Sequence, residues 1–348
     1  MSVRRRAKTV ARSLRALGWS ATHRPAEVED VVVVGGAAAP LVPVDRPISV
    51  LCWNVQFAAG RDRVFFYDGG RAVRVPQETV RTCLDRLAEV IRSADVDLVL
   101  LQEVDRGSDR TARVDQHAEL LARVPYPCHA STWYYRNPYV PYPSWEHLGR
   151  TEVHLSVFSR FRIAGARRWR LPEMRESWVS RQFNLRRALM ELELPLPNGR
   201  VARVIDTHLS AFSKGDGTLP AQIEVLERRL AAADAAGIPW VAAGDFNALP
   251  PDDDPRRLGP DAELYSDEGR PLQPLFSRWQ SAVSPEAHAD EPERFRTWLP
   301  PGGVVADRAI DHVFASHDVE IYDATVLRGV VDASDHLPLR VELRFPAS

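Results

Sequence analysis

Asp245 and Asn247 stand two residues apart in Gly244-Asp245-Phe246-Asn247-Ala248, directly after the apolar run Pro239-Trp240-Val241-Ala242-Ala243. On extended backbone, residues i and i+2 point to the same side, so a strand ending here projects a carboxylate beside a carboxamide. One general base or cation ligand next to a neutral hydrogen-bond donor suits holding a water against a phosphate. Read alone, Asp and Asn beside Gly equally make a plain turn. Four further segments give the pair company. Ile48-Ser49-Val50-Leu51-Cys52-Trp53-Asn54-Val55 is an apolar strand that delivers Asn54 near its end. Asp97-Leu98-Val99-Leu100-Leu101-Gln102-Glu103 is a buried-type strand that stops at Glu103. A carboxylate there needs a partner, and a hard cation such as Mg²⁺ takes one or two carboxylates while keeping several waters. Arg203-Val204-Ile205-Asp206-Thr207-His208 leads a strand into His208. The last segment has two parts: Ala309-Ile310-Asp311-His312-Val313-Phe314, then Ser334-Asp335-His336-Leu337-Pro338.

In chain order these segments resemble the endonuclease/exonuclease/phosphatase superfamily. Its metal-dependent phosphoesterases include pancreatic-type deoxyribonuclease, AP endonucleases, inositol polyphosphate 5-phosphatases and bacterial sphingomyelinases. The family pattern W-N, Q-E, T-H-L, G-D-F-N, I-D-H/Y and S-D-H stands here in order, from about residue 47 to the C-terminus. The resemblance implies a four-layer α/β sandwich, two central mixed sheets flanked by helices. It also implies Mg²⁺ as cofactor, with Mn²⁺ able to substitute, and roles residue by residue. Glu103 matches the principal metal ligand, with Asn54 and Asp335 on the metal side and Asn54 also facing substrate. Asp245 and Asn247 match the residues that position the attacking water. His336 matches the histidine that contacts the scissile phosphate, Asp311 the carboxylate that orients it, and His208 a second histidine found in some branches. An Asp–His hydrogen bond fixes the imidazole tautomer and favours its charged form. Arg187 lies where relatives often carry a phosphate-contacting arginine. Whether the substrate is a diester or a monoester does not follow, since one constellation serves both.

Bland readings stand beside these. Asn54 and Asp335 also fit as caps or turn residues, and His208 as a core histidine on an apolar strand. Asp206 and His312 each sit one residue from a motif partner and should face the other way, so both stay outside the site. Glu152, in Thr151-Glu152-Val153-His154, resembles the place where deoxyribonucleases carry a Glu supporting the second histidine, though a solvated strand residue fits equally.

Composition bounds the substrate. The 348-residue chain carries 45 basic and 47 acidic residues, a net charge of −2. Duplex binding rests on phosphate contacts and leaves a basic footprint, so a nucleic-acid substrate would need a local patch to compensate for the near-neutral whole. A nuclease is thus the alternative to a small or lipid-linked phosphoester, and an inactive binding protein of the same fold is a more distant one. Three widely spaced cysteines fit neither a disulfide framework nor a zinc site. The start is basic through Arg4, Arg5, Arg6, Lys8, Arg12 and Arg15, and lacks the apolar stretch of a secretory signal. The run Val31 to Val44 is broken by Gly35, Gly36, Pro40 and Pro43 and is too short to span a bilayer. A cytoplasmic enzyme is the expectation, with the basic start a solvated tail, an amphipathic helix or a membrane-surface contact. No protein partner is legible.

The elements that must position these side chains are legible in outline. Residues 1–46 read as an extension, and 47–348 as the catalytic domain. Gln77 to Asp95 has Val80, Cys83, Leu84, Leu87, Val90 and Ile91 at helical spacing. Gln116 to Val124 and Ala221 to Ala236 read as further helices, the latter ended by Gly237. Leu155–Phe158 and Ala188–Leu194 read as strands. Trp133 to Trp145 reads as an aromatic, Pro-rich loop suited to substrate or self-packing. Arg160 to Arg187 reads as a substrate-facing basic wall, and Pro250 to Pro274 as an acidic, solvated insertion.

Overall fold

The computed structural model describes residues 3–211, 215–266 and 269–347, without the side chains at 3–6 and 266. The side chains of Arg4, Arg5 and Arg6 of the basic start, and residues 267–268 of the acidic insertion, therefore lie outside what the structure describes. Numbered along the chain, the strands are β1 (Val28–Asp30), β2 (Val33–Gly35), β3 (Ile48–Asn54), β4 (Leu98–Asp105), β5 (Cys128–Val140), β6 (Gly149–Ser159), β7 (Gly165–Arg170), β8 (Ala188–Pro195), β9 (Val201–His208), β10 (Trp240–Asp245), β11 (Gln280–Ser281), β12 (Asp311–Ala315), β13 (Glu320–Val326) and β14 (Leu339–Arg344). They form two mixed sheets, ordered β1-β7-β8-β9-β10-β12-β11 and β13-β14-β3-β4-β6-β5-β2.

Alternation along the strands builds the core. Val204, Val241, Ala243, Val313 and Ala315 of the first sheet join Cys52, Leu100 and Val157 of the second in one buried cluster. Their neighbours Ile205, Trp240, Ala242 and Phe314 point the other way, onto a separate cluster. Helices cover the outer faces. The main ones toward the N-terminal side are α1 (Val3–Thr22), α2 (Gln77–Ala94), α3 (Gln116–Leu121), α4 (Trp178–Phe183) and α5 (Thr218–Ala235). α2 buries Val80, Leu84, Leu87 and Ile91 in the larger cluster, as its 3.6-residue spacing demands. α5 buries Leu219, Ile223, Leu226 and Leu230 against the outer face of the first sheet. The result is the expected four-layer α/β sandwich. Among the described residues no helix is long and apolar enough to cross a membrane.

One ion pair fixes the loop that follows β4. Arg110 donates to both oxygens of Asp105 (Nε–Oδ2 2.8 Å, Nη2–Oδ1 2.9 Å), and Thr111 Oγ1 adds a third bond to Asp105. The Arg110 guanidinium also lies 3.7 Å from the centre of the Phe57 ring, tying this loop to the one after β3. Removing one partner leaves a buried charge uncompensated, so Asp105→Ala is expected to destabilise the fold by about 3–5 kcal/mol. Chemical denaturation checks this, and a loss near zero would show that the loop is not held by the pair.

Residues 3–35 are built into this architecture. α1 packs against β5 and α4. β1 forms the edge of one sheet beside β7, and β2 forms the edge of the other beside β5. The arginines read as a substrate-facing wall mostly hold this segment instead. Arg186 Nη2 donates to Ser20 Oγ (2.7 Å) and Ser20 O (3.0 Å). Arg170 reaches Pro25 O, Arg168 faces Glu29 at 3.8 Å, and Arg167 faces Asp30 at 3.9 Å. The stretch read as an aromatic loop is mostly strand: Tyr134 and Tyr135 are buried on β5, and Trp133 stacks under Arg168, 4.5 Å from the ring centre. Aromatic and β-branched residues favour a pleated, half-buried surface, and that preference outweighs the flanking prolines.

Candidate active site

Asp245 lies at the centre of a hydrogen-bonded cluster drawn from both sheets. β9 and β10 run parallel with His208 beside Asp245, while β10 and β12 run antiparallel with Asp311 opposite it. Close approach of β9 and β10 needs Gly244. Its φ is +156°, and an added Cβ would lie 2.0 Å from Thr207 O. Across the sandwich, Asn54 Nδ2 donates to Asp245 Oδ2 at 3.0 Å, and Asn54 Oδ1 accepts from the Gln56 N–H at 3.0 Å. His208 Nε2 lies 3.2 Å from the same Asp245 oxygen and His336 Nε2 3.6 Å from it. His336 Nδ1 is bonded to Asp311 Oδ2 at 2.8 Å.

The partner residues of the motifs stitch the cluster together. Trp53 Nε1 donates to His336 O (2.8 Å), and Ser334 Oγ donates to Asn54 O (2.7 Å) while accepting from the His336 N–H (3.2 Å). Asn247 adopts φ 51° and gives its N–H to Asp245 Oδ1 (2.9 Å), while its carboxamide donates to Leu209 O (3.0 Å). Left-handed backbone at a non-glycine residue is uncommon and clusters at functional sites. Glu103 is a second case, at φ 60°. The β4–β6 register slips between Leu101 and Val104, and this irregularity turns Glu103 out of the ladder as a bulge does. Its Oε1 sits 4.0 Å from His208 Nδ1.

Electrostatics divide the cleft in two. Burial works against a charge on His336, but Asp311 and Asp245 outweigh it, so its pKa is raised and the ring is an imidazolium. Burial raises the pKa of Asp245, opposed by the His336 charge. His208 is pushed well below its ordinary value by burial and by the charges of Arg187 and His336, and is neutral. A neutral ring with Nε2–H toward Asp245 leaves Nδ1 to accept from the Tyr134 hydroxyl at 3.3 Å; this tautomer follows from its partners. The other half is acidic. Burial, with Glu103 and Asp68 nearby, raises Asp335 to about 7. Burial and Glu103 raise Asp68 to about 6.

Asn54, His208, Asp245, Asn247, Asp311 and His336 thus form one contacting cluster, with Glu103 4.0 Å from His208 and Asp335 the chain neighbour of His336. Arg187 is buried beside this cluster, 5.3 Å from the Tyr134 ring centre, with Nε and Nη1 unpartnered. His312 faces away as its parity requires, bonding Ala248 O at 2.9 Å. Asp206 does not. It lies two residues before His208, so it points into the sandwich with it, where Gln102 Nε2 donates to it at 2.6 Å. It stays outside the site by depth rather than by direction. Glu152 is neither solvated nor beside His208: it is buried against Arg136, Arg150 and His154, which hold its pKa at about 2 against the effect of burial. Tyr134 occupies the place next to His208. Sequence reasoning missed Asp68, Arg61, Gln56 and Tyr134. The first three line a small cleft with Asp335, and Arg61 donates to the carbonyls of Leu299, Pro300 and Gly303.

The model of the Endonuclease/Exonuclease/phosphatase family matches residues 51–336. The chain belongs to that family. Its members are metal-dependent phosphoester hydrolases, so this family member is an enzyme acting on ester bonds. Among solved structures, an endonuclease/exonuclease/phosphatase from Beutenbergia cavernae is 24% identical with TM-score 0.61, covering 86% of this chain and 72% of that one. The human Nocturnin catalytic domain with bound sulfate anion is 21% identical with TM-score 0.55, covering 90% and 97%. A Bacteroides thetaiotaomicron mannosyl-6-phosphatase is 15% identical with TM-score 0.50, covering 86% and 100%. At these identities the likeness is one of fold. No curated protein matches the sequence.

Proposed function

We propose that this family member hydrolyses a phosphoester with water positioned by Asp245 and with a divalent cation, Mg²⁺ or in its stead Mn²⁺, held at Glu103 and Asp335. The observation that carries the reading is the single Asp245 oxygen met by Asn54, His208 and His336. A buried carboxylate with a raised pKa is a better base than an exposed one at neutral pH. Asp245 orients the water and takes its proton as the P–O bond forms, with Asn247 alongside. Asn54 fixes the carboxylate plane. His336, kept charged by Asp311, donates through Nε2 toward the phosphoryl oxygens, where charge develops in the transition state, while neutral His208 gives its one N–H to Asp245 and holds that carboxylate in place. Arg187, with unpartnered buried nitrogens, supplies a further donor for the phosphate. The ester oxygen leaves as the P–O bond to it breaks.

The residues present fit a hard cation. Burial and the Glu103 carboxylate raise the proton affinity of both Asp335 and Asp68 against the opposing charges of His336 and Arg61, and Gln56 Oε1 is buried without a partner beside them. Such an oxygen set suits Mg²⁺. Asp245, Asp311 and His336 also bring ligand atoms within 4.8 Å of one another, but the imidazolium among them repels a cation. A cation at Glu103 and Asp335 would neutralise phosphate charge and stabilise the leaving oxygen.

Glu103→Gln is expected to abolish chelator-sensitive turnover while leaving the fold intact, and to weaken Mg²⁺ binding in isothermal titration. Cation binding requires the Asp335 carboxylate, whose pKa is about 7 without metal. Affinity should therefore fall as pH falls through neutrality, with protons released on binding. Full turnover in chelator would sink the cation reading. A panel of phosphomonoesters, phosphodiesters, nicked DNA and RNA with Mg²⁺ identifies the substrate class. Retention of activity by Asp245→Asn on every hydrolysed substrate would sink the base assignment.

A further inference from the structure

An amphipathic helix ordinarily buries its apolar stripe, because that face docks it on the core. α1 leaves much of its stripe in solvent. Its docked side is Ala16 and Ser20, both buried, with Ser13 and Leu17 half-buried. Val10 and Leu14, one turn apart and hence neighbours on the helix surface, are 57% and 62% exposed. α1 packs on α4, whose first residues Trp178 and Val179 are each 52% exposed. Lys8, Arg12 and Arg15 also stand exposed on α1. No acidic residue occurs in the chain before Glu27.

We propose that α1 and the start of α4 form a docking face for an anionic lipid surface. Val10, Leu14, Trp178 and Val179 enter the headgroup–acyl boundary, and Lys8, Arg12 and Arg15 meet the lipid phosphates. A helix of this kind, apolar on one side and rich in Lys and Arg on the other, lies in the membrane interface. Charge decides between occupants. A second copy of this chain would bring one acid-free basic helix against another. A nucleic acid would gain from the arginines but nothing from exposed aliphatic side chains, which offer no stacking. An anionic bilayer rewards both halves of the face. The face is also rigidly tied to the catalytic domain, through Ser20 held by Arg186 and through β5, whose Tyr134 contacts His208. Lipid binding would hold the cleft beside the membrane whatever the ester it cleaves, so this inference stands apart from the proposed reaction.

Sedimentation of the full-length protein with vesicles tests it, using phosphatidylcholine alone and phosphatidylcholine with phosphatidylglycerol. Binding to the anionic vesicles should be at least about tenfold stronger, and each of Arg12→Glu and Arg15→Glu should weaken it about fivefold or more. Val10→Asp with Leu14→Asp should remove it. Turnover of a soluble substrate should stay unchanged in all three variants, which separates lost docking from lost folding. Equal binding to both vesicle types, or an unweakened Val10→Asp/Leu14→Asp protein, overturns the proposal. So does a wild-type dimer that Leu14→Asp converts to monomer, which would assign the face to a second copy. Vesicle-independent binding of RNA or DNA lost in Arg12→Glu would assign it to nucleic acid and likewise overturn the proposal.

Discussion

Asp245→Asn is expected to lower kcat about 10⁴-fold, the upper end of what a positioned general base supplies. The substitution keeps the shape of the side chain and the bond from the Asn247 N–H, but removes the proton acceptor. It also turns one side of the hub into an amide that must face three donors, from Asn54, His208 and His336. KM should change little, because the interaction is made with the reacting water rather than with bound substrate. Steady-state kinetics on the best substrate of the panel checks this, with circular dichroism to show the fold intact. A loss below tenfold would mean that Asp245 only scaffolds the cleft.

Asp311→Asn should lower kcat about 10²–10³-fold, within the range seen for positioned acid–base groups, with a different signature. Burial pushes the His336 pKa down, and Asp311 is the largest influence pushing it up. With that charge gone, burial is opposed only by Asp245 and Asp335, and the imidazolium loses its proton at a lower pH. In the wild type the ring should stay charged throughout the neutral range when followed by NMR. In Asp311→Asn it should titrate at lower pH, and the residual activity should recover as the pH is lowered until Asp245 itself protonates. A wild-type His336 that titrates near the ordinary histidine value, or an Asp311→Asn profile parallel to the wild type, would show that Asp311 does not set its charge.

The site was legible because its side chains end strands. Asn54, His208, Asp245 and Asp311 stop or start apolar runs, and a polar group at the mouth of a buried strand has little to do except chemistry. Asp68, Arg61 and Gln56 come from the irregular segment between β3 and α2, where no period marks a direction, so only the folded chain shows that they reach Asp335. Parity failed at Asp206 because the count was taken from Thr207, while the side chain that matters is His208. The layered fold was legible from α2, α5 and the strands they join. β1 and β2 were not, since three residues are too few to show alternation. Composition misled for Arg167, Arg168, Arg170 and Arg186: a dense run of arginine looks alike in sequence whether it faces a phosphate or holds the backbone of another segment.

Only Val31 and Val32 separate β1 from β2, yet the two strands belong to different sheets. The short segment therefore acts as a clasp over one side of the sandwich, reinforced by Arg168 Nε of β7 donating to Trp133 O of β5 at 2.8 Å. Parting the sheets along that side would break both ladders together, making it a single cooperative unit of local opening. The clasp also occupies two strand edges that would otherwise stand open to another chain. A version of this enzyme trimmed to its motif-bearing region would thus keep its catalytic groups and gain a liability to self-associate.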